Sequence, residues 1–389
     1  MTYLVTGATG FIGRFLIPEL LRRDGDIHVL IRPGADAAER FARCAAGWDG
    51  GERVRPVVGD LAGPGRVIEP AWVREHRGTV EHVFHLATTI DHADAGTGEA
   101  DSVTAAADIA TAGPIDTAAR SRTALPAPGA QAGPERRAAL DPAATRRVVE
   151  LSRALNATRL HHLSTVDVSG DHRGRFTEHM LDTGQHLTPA QRGRFESERV
   201  VRASGLDWRI YRPAIVIGHS RTGEVDESDA GTRRFFGLLR RAGQLPRLLP
   251  VLVPQLGETN MVPVDYVAEA LAHLAHSPAP THSTFHLTDP ARVRAVDALN
   301  LFADEAGAPH LVEVMGKNTL RKVLRMPGMQ RMLPSVGLPE DALEHSEFGC
   351  WFDCANTTAA LAGTGITVPP LADYAPRIWK TWSEVVAVP

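Results

Sequence analysis

Lysine is almost missing from this chain of 389 residues, which carries three (Lys317, Lys322, Lys380) against 39 arginines. Tyrosine is nearly as scarce, at four (Tyr3, Tyr211, Tyr266, Tyr374), and none stands four residues before a lysine. The three cysteines, Cys44, Cys350 and Cys354, are odd in number and lack framework spacing. The Cys350-x₃-Cys354 pair has no second pair to match it, so no metal site is expected. Reduced thiols suit a cytosolic protein. No apolar run reaches the ~20 residues of a membrane helix. The first strand begins by residue 3 and leaves no room for a signal peptide, so a soluble, cytoplasmic protein is expected. A net charge of −4 gives no drive toward nucleic acid or an anionic membrane. The arginine excess, with abundant Ala, Gly and Pro, reads as GC-rich coding bias and carries no functional signal. Residues 93–140 hold no aromatic residue, and about a third of them are Ala. Such a segment buries too little apolar area to offset its ordering entropy, and reads as a mobile or irregular insert.

What is present is an ordinary apolar fraction of 43%, enough for a real core. Apolar strands are expected at 3–6, 27–31, 55–58, 83–87, 160–164 and 208–217. Helical periodicity marks 11–23, 145–155 and 195–203, with Pro18 inside the first helix as a source of tilt. Strands separated by helices imply a parallel, doubly wound α/β sheet with helices on both faces. A basic, Met-rich amphipathic stretch at 317–333 belongs to a substrate lobe or plain core, with a membrane-surface or carrier-protein helix as the alternative. No internal repeat is visible.

The most specific signal is at the start. Strand 3–6 runs into Gly7-x-x-Gly10-x-x-Gly13 and a helix follows. The first glycine permits the tight turn, the second lets a pyrophosphate approach the backbone, and the third lets helix and strand pack closely. The helix N-terminus offers N–H groups to the phosphates. Thr6, Gly7, Thr9, Gly10, Phe11, Ile12 and Gly13 are the expected cradle. Arg32, at the end of the second strand, stands where an acidic residue would bind the ribose 2′-hydroxyl of NAD. A guanidinium there pairs with a 2′-phosphate, so NADP(H) is preferred over NAD. Asp60 and Leu61 are placed to meet the adenine. Leu86 and Ala87, with Pro213 across the sheet, are placed to line the cofactor's inner half.

These pieces, together with His161-His162-Leu163-Ser164-Thr165, Tyr211-Arg212-Pro213-Ala214, Ser220-Arg221-Thr222-Gly223 and Asn260-Met261-Val262-Pro263-Val264-Asp265-Tyr266, resemble the extended short-chain dehydrogenase/reductases. The likeness is to the branch of thioester reductases and fatty acyl-CoA reductases, and it covers nearly everything outside 93–140. The resemblance implies a Rossmann-type cofactor domain over 1–204. It implies a second part over 205–389 that mixes the last sheet strands with a substrate lobe. It also implies NADPH-dependent reduction of a thioester, aldehyde or ketone, in which a Ser polarises the carbonyl, a Tyr delivers the proton, a Lys tunes it and an Asn holds a water relay. By the register of Phe195-Glu196-Ser197-Glu198, Thr165 takes the Ser position, Ala190 the Tyr, Arg194 the Lys and Asp141 the Asn. Alanine cannot donate a proton, and arginine, with a pKa above ~12, is a poor relay member. His92 is the candidate replacement acid because imidazole titrates near neutrality. Asp91, Asp167, His172 and Glu224 flank the same crevice. His219 and Asn260 are candidate substrate contacts, while His161 and His162 read as structural.

Three readings therefore stand. The first is a divergent NADPH-dependent reductase of an acyl thioester or carbonyl compound in secondary or lipid metabolism, with a carrier-bound substrate as one form. The second is a non-redox cyclase, isomerase or lyase in which Thr165 and Arg194 stabilise an oxyanion. The third is a catalytically silent nucleotide-binding protein. A homodimer is compatible with the resemblance and no motif tests it.

Overall fold

The computed structural model describes residues 1–63, 65–86, 142–226, 230–244, 247, 250–315 and 349–386. The insert at 93–140, the amphipathic stretch 317–333, Ala87, Asp91, His92 and Asp141 lie outside the described residues.

The chain opens with β1 (Tyr3–Thr6), α1 (Phe11–Leu21), β2 (Ile27–Ile31), α2 (Ala35–Ala45), β3 (Val54–Val58), α3 (Pro70–Glu75) and β4 (His82–His85). It continues through α4 (Pro142–Leu155), β5 (Arg159–Leu163), β6 (Gly174–Phe176), α5 (Pro189–Arg202), β7 (Trp208–Pro213) and β8 (Ile215–Val216). Then follow α6 (Ala230–Ala242), β9 (Val251–Pro254), β10 (Glu258–Thr259), β11 (Met261–Val262), α7 (Val264–His276) and β12 (Ser283–Leu287). Next come β13 (Val293–Arg294), α8 (Ala295–Ala306), β14 (Leu311–Met315) and β15 (Cys350–Phe352). Two helices, Ala355–Leu361 and Leu371–Val386, close the described chain.

Seven strands form one sheet in the order β12-β7-β5-β4-β1-β2-β3. Every pairing in it is parallel, as the alternation of strand and helix predicts. From β1 the chain winds outward through β2 to β3, then returns to place β4 on the other side of β1. A crevice opens beyond the carboxyl ends of the strands where the order reverses, which is where ligands bind in such sheets. One face, carrying Val5, Val29, Phe84 and Tyr211, is covered by α1 and α7. The other, carrying Leu4, Val83, Leu160 and Ile210, is covered by α4 and α5. Edge strand β3 accommodates Pro56, which has no ladder donor to give. A separate core joins Phe236 and Leu239 of α6, Phe302 of α8, and Tyr374, Ile378 and Trp382 of the terminal helix.

Pro18 lies inside α1 without ending it. A proline at 18 cannot donate to the carbonyl of Arg14, and the indole Nε1–H of Trp48 donates to that oxygen instead, at 3.1 Å. The central strands are more polar than parallel strands usually are. Tyr211 Oη lies 2.9 Å from His161 Nδ1, and His161 Nε2 lies 2.9 Å from His82 Nδ1, so three strands are linked side chain to side chain. His161 is thus structural, as its place in the fifth strand suggests. Burial, reinforced by neighbouring positive groups, holds His82 down to about 3 and His161 well below the usual imidazole range.

Candidate active site

The glycine loop has the shape its spacing predicts. Gly7 adopts φ 75°, a left-handed conformation that favours glycine. Gly10 N–H donates to Gly7 O at 3.1 Å and closes the turn. A Cβ on Gly13 would stand 2.2 Å from Gly7 O and 2.7 Å from Ala8 Cα, so only glycine lets α1 sit this close to the loop. A Cβ on Gly10 would stand 3.3 Å from the same oxygen, facing the exposed side. No side chain caps α1 and its first turn has no acidic residue. Its leading N–H groups are therefore available to an anion, and the cradle fits a dinucleotide pyrophosphate. Thr6, the last residue of β1, lies behind the loop with Oγ1 2.9 Å from His85 Nδ1, and His85 Nε2 lies 3.2 Å from Thr145 Oγ1 on α4. Thr6 is buried, so its side chain braces the strand ends, while Thr9, Phe11 and Ile12 remain partly exposed at the crevice.

Arg32 is half-buried at the exit of β2 and engages other groups. Asp60 shapes its own loop, since its Oδ1 accepts Ala62 N–H at 2.7 Å while its N–H donates to Val67 O at 2.9 Å. Leu61 packs against the core under α4 and α5. Leu86 is buried and its N–H donates to Thr6 O at 3.1 Å, extending the ladder of β1 and β4 by one residue. Pro213 is buried at the exit of β7.

At the same end of the sheet, two strands from β1, Thr165 follows β5 and caps a short 3₁₀ turn, Val166–Ser169. Its Oγ1 accepts the Asp167 N–H at 3.3 Å. Asp167 Oδ2 in turn accepts Arg194 Nη1–H at 2.9 Å. Arg194 and Ala190 lie four residues apart on α5, hence on one helix face. A capping box starts that helix: Thr188 Oγ1 accepts Gln191 N–H and Gln191 Oε1 accepts Thr188 N–H. Ala190 is exposed in the first turn. The structure therefore brings Thr165 and Arg194 together through Asp167, a bridge whose only sequence sign was its place after a strand end.

Deeper in, Ser164 Oγ donates to Glu198 Oε2 at 3.0 Å, and Arg212 donates to the same carboxylate from Nε at 3.0 Å and Nη2 at 2.5 Å. Burial alone would raise the Glu198 pKa, but Arg212 and Arg202 outweigh it and hold it at about 2. Glu178, missed from sequence, is a buried carboxylate that accepts from His286 N–H (3.0 Å) and from Thr357 N–H (3.1 Å) and Oγ1–H (2.7 Å). No spacing or motif announces it.

The two candidate substrate contacts are engaged in folding. His219 Nδ1 accepts the N–H groups of Arg221 (3.1 Å) and Thr222 (3.3 Å), and its ring packs 5.0 Å from Phe15. Burial lowers the His219 pKa below the ordinary imidazole value, with the Asp265 carboxylate opposing the shift. Asn260 exchanges both amide hydrogen bonds with the backbone of Asp289, Nδ2–H to O at 2.7 Å and N–H to Oδ1 at 2.9 Å. The Ser220–Gly223 motif docks the lobe: Ser220 N–H and Oγ donate to Asp265, and Arg377 of the terminal helix donates to Ser220 O. His172 and Glu224 are also occupied, His172 Nδ1 lying 3.1 Å from Thr183 Oγ1 and Glu224 forming a 2.7 Å ion pair with Arg14. No group of His, Cys, Asp and Glu among the described residues could hold a metal ion, and no described helix is long and apolar enough to cross a membrane.

A family model described as male sterility protein, NAD-binding, matches residues 5–108 and 136–271. A linear gramicidin synthase of Brevibacillus parabrevis is 25% identical over 305 residues, 74% of this chain and 5% of that protein. The non-canonical nonribosomal peptide synthetase FrzA of Cladobotryum sp is 26% identical over 362 residues, 85% of this chain and 30% of that protein. The chain thus spans under a third of the length of these relatives. Among solved structures, the terminal R domain from the myxalamid PKS-NRPS biosynthetic pathway superposes with a TM-score of 0.69 at 24% identity, covering 99% of this chain and 90% of that one. A thiolation-reductase di-domain from an archaeal non-ribosomal peptide synthetase superposes with a TM-score of 0.65 at 16% identity, covering 99% and 75%. These likenesses establish the Rossmann-type fold.

Proposed function

The chain belongs to the male sterility protein family of NAD-binding domains, and from that premise we propose that it is an NADP(H)-dependent reductase acting on an acyl thioester or carbonyl compound. The observation that carries this reading is the glycine cradle, where a Cβ on Gly13 would strike Gly7 O at 2.2 Å, set beside the Thr165–Asp167–Arg194 cluster. Bound there, the dinucleotide would supply a hydride. Gly7, Gly10 and Gly13 would admit its pyrophosphate, Arg32 would select the 2′-phosphate, and Thr165 would polarise the substrate carbonyl. On this reading residues 1–204 bind the cofactor and 205–389 complete the sheet and hold the substrate.

The similarity to nonribosomal peptide synthetases and to an R domain next to a thiolation domain supports a substrate carried as a thioester on a carrier protein. It also supports a place in secondary metabolism. Titration with NADPH and NADH, followed by nicotinamide fluorescence, tests the reading. NADPH should bind at least about tenfold more tightly than NADH, and Gly13→Val should abolish binding of both. A wild-type chain that binds neither would overturn it. Binding of NADPH together with conversion of a substrate that leaves the cofactor unchanged would favour a cyclase, isomerase or lyase instead.

A further inference from the structure

A fully buried ion pair ties together the two elements that carry Thr165 and Arg194. Glu198 lies one turn after Arg194 on α5, on the same helix face. Its carboxylate reaches the end of β5, where Ser164 Oγ–H donates to Oε2 at 3.0 Å. Ser164 immediately precedes Thr165, and its N–H donates to Tyr211 O of β7 at 2.7 Å. Serine hydroxyls commonly bond their own local backbone, whereas this one reaches a side chain 34 residues away. Arg212 of β7 grips the same carboxylate side-on, from Nε to Oε2 at 3.0 Å and from Nη2 to Oε1 at 2.5 Å. Arg202 adds a third grip, from Nε to Oε1 at 3.0 Å.

Arg212 is itself held on its far side. Its Nη2 donates to Met180 O at 2.7 Å and its Nη1 to Glu178 O at 3.5 Å, and Nη1 lies 3.0 Å from His286 Nε2. A guanidinium has only donors, so His286 Nε2 accepts, and its Nδ1–H donates to Asp353 O at 2.7 Å. All five N–H groups of Arg212 are thus engaged, and both Arg212 and Glu198 are sealed from solvent. Removing two charges from water offsets most of their attraction, so such a pair is a poor device for stability alone. What it adds is direction, because the planar fork fixes both the place and the orientation of the carboxylate.

Resting on the reading above, we propose that Glu198, anchored by Arg212, is a positioning residue that sets the spacing of Thr165 and Arg194. Through Oε2 it fixes the end of β5 one residue before Thr165. Through its own backbone it fixes the turn of α5 that follows Arg194. Asp167 then closes the remaining gap, with its N–H on Thr165 Oγ1 and its Oδ2 on Arg194. A carbonyl polarised by Thr165 demands close placement, since a misplacement of about 1 Å from a change away from the chemistry can cost roughly 10²-fold in rate. Glu198 acts through Ser164 and α5 alone and moves no proton.

The test uses the full chain and two variants. Ser164→Ala deletes the tether and leaves the Glu198–Arg212 pair whole, so the fold is kept. The first readout is hydrogen exchange by mass spectrometry, which needs no substrate. In Ser164→Ala the peptide spanning 164–170 should exchange at least ~10-fold faster, while the peptide over β2 keeps its wild-type rate. The second readout is NADPH oxidation with octanoyl-pantetheine. In Ser164→Ala kcat should fall about 10-fold, with KM and NADPH affinity unchanged. In Glu198→Gln, which also removes the charge facing Arg212, kcat should fall about 10²-fold. A lower urea midpoint in Ser164→Ala with kcat and the 164–170 exchange unchanged is the behaviour of a purely structural contact, and it overturns the proposal. Faster exchange with kcat unchanged overturns it as well. A wild-type chain that binds no NADPH, or binds it and leaves the thioester intact, counts against the reductase reading, and the exchange result alone then decides the positioning role.

Discussion

Single side chains decide what the crevice can bind. Gly13 is fixed by contact, and its role was legible from spacing alone because a third glycine after a strand has one steric purpose. Arg32 was legible as a charge at a strand end. We expect Arg32→Glu to weaken NADPH at least about tenfold while moving NADH little, as read by parallel titrations. Asp167 was legible only as a polar residue near the crevice, since its two partnerships depend on a 3₁₀ turn and on the start of α5, neither of which has a residue-level signature. Trp48 was not legible at all. It sits 30 residues beyond Pro18 in sequence, yet it satisfies the carbonyl that Pro18 cannot. Trp48→Phe keeps the ring and loses that hydrogen bond, so a stability loss of about 1 kcal/mol, read by urea titration, is the expected outcome.

Among the elements, the first five strands of the sheet were readable to within two residues, because buried parallel strands are short apolar runs with sharp borders, whereas β12, which completes the sheet, was not marked. The exceptions have physical causes. The expected strand 208–217 divides into β7 and β8, since Ala214 N–H turns to Leu287 O and β8 leaves the main sheet to pair with β11. Helix α5 begins six residues before the Phe195 that periodicity suggested. Its first turn is polar and buries little, and it is held by the Thr188–Gln191 capping box with Pro189 inside it. That signal was in the sequence and was masked by the absence of an apolar stripe. Because Ala190 and Arg194 both ride on this early segment, Thr188→Ala should cost about 1 kcal/mol of stability in a denaturant titration. It should also slacken the Arg194–Asp167 contact.

The whole molecule carries an acid sensitivity that the sequence showed only as a count of 17 histidines. Burial depresses His82, His85 and His286 to about 3 and His162 to about 4, with nearby cationic or imidazole groups adding to the effect except at His162, where Glu198 opposes it. An unfolded histidine titrates near 6.5, so between that value and 3–4 the unfolded chain binds more protons. The contribution of these residues is complete above about pH 6.5 and is lost as pH falls below it. Glu198 acts in a lower window, because its depressed value near 2 gives stability that is present above the unfolded carboxylate value of about 4.3 and lost on further acidification. Urea midpoints should therefore fall steeply between pH 7 and 5. An unchanged midpoint across that range would refute the account. The strands of His85, His161 and His162 were readable, but that the histidines of β4 and β5 meet was not, because that contact joins residues 79 apart.

The Tyr211–His161–His82 row also has a direction. A neutral imidazole has one N–H and one lone pair, so a donor on one nitrogen requires an acceptor on the other. If Tyr211 donates, both histidines must carry hydrogen on Nε2; if it accepts, both must carry it on Nδ1. Mixed tautomers would set two lone pairs or two hydrogens against each other. The pair therefore stores a single binary choice shared across three strands, and nitrogen NMR of the two rings should report the same tautomer in both.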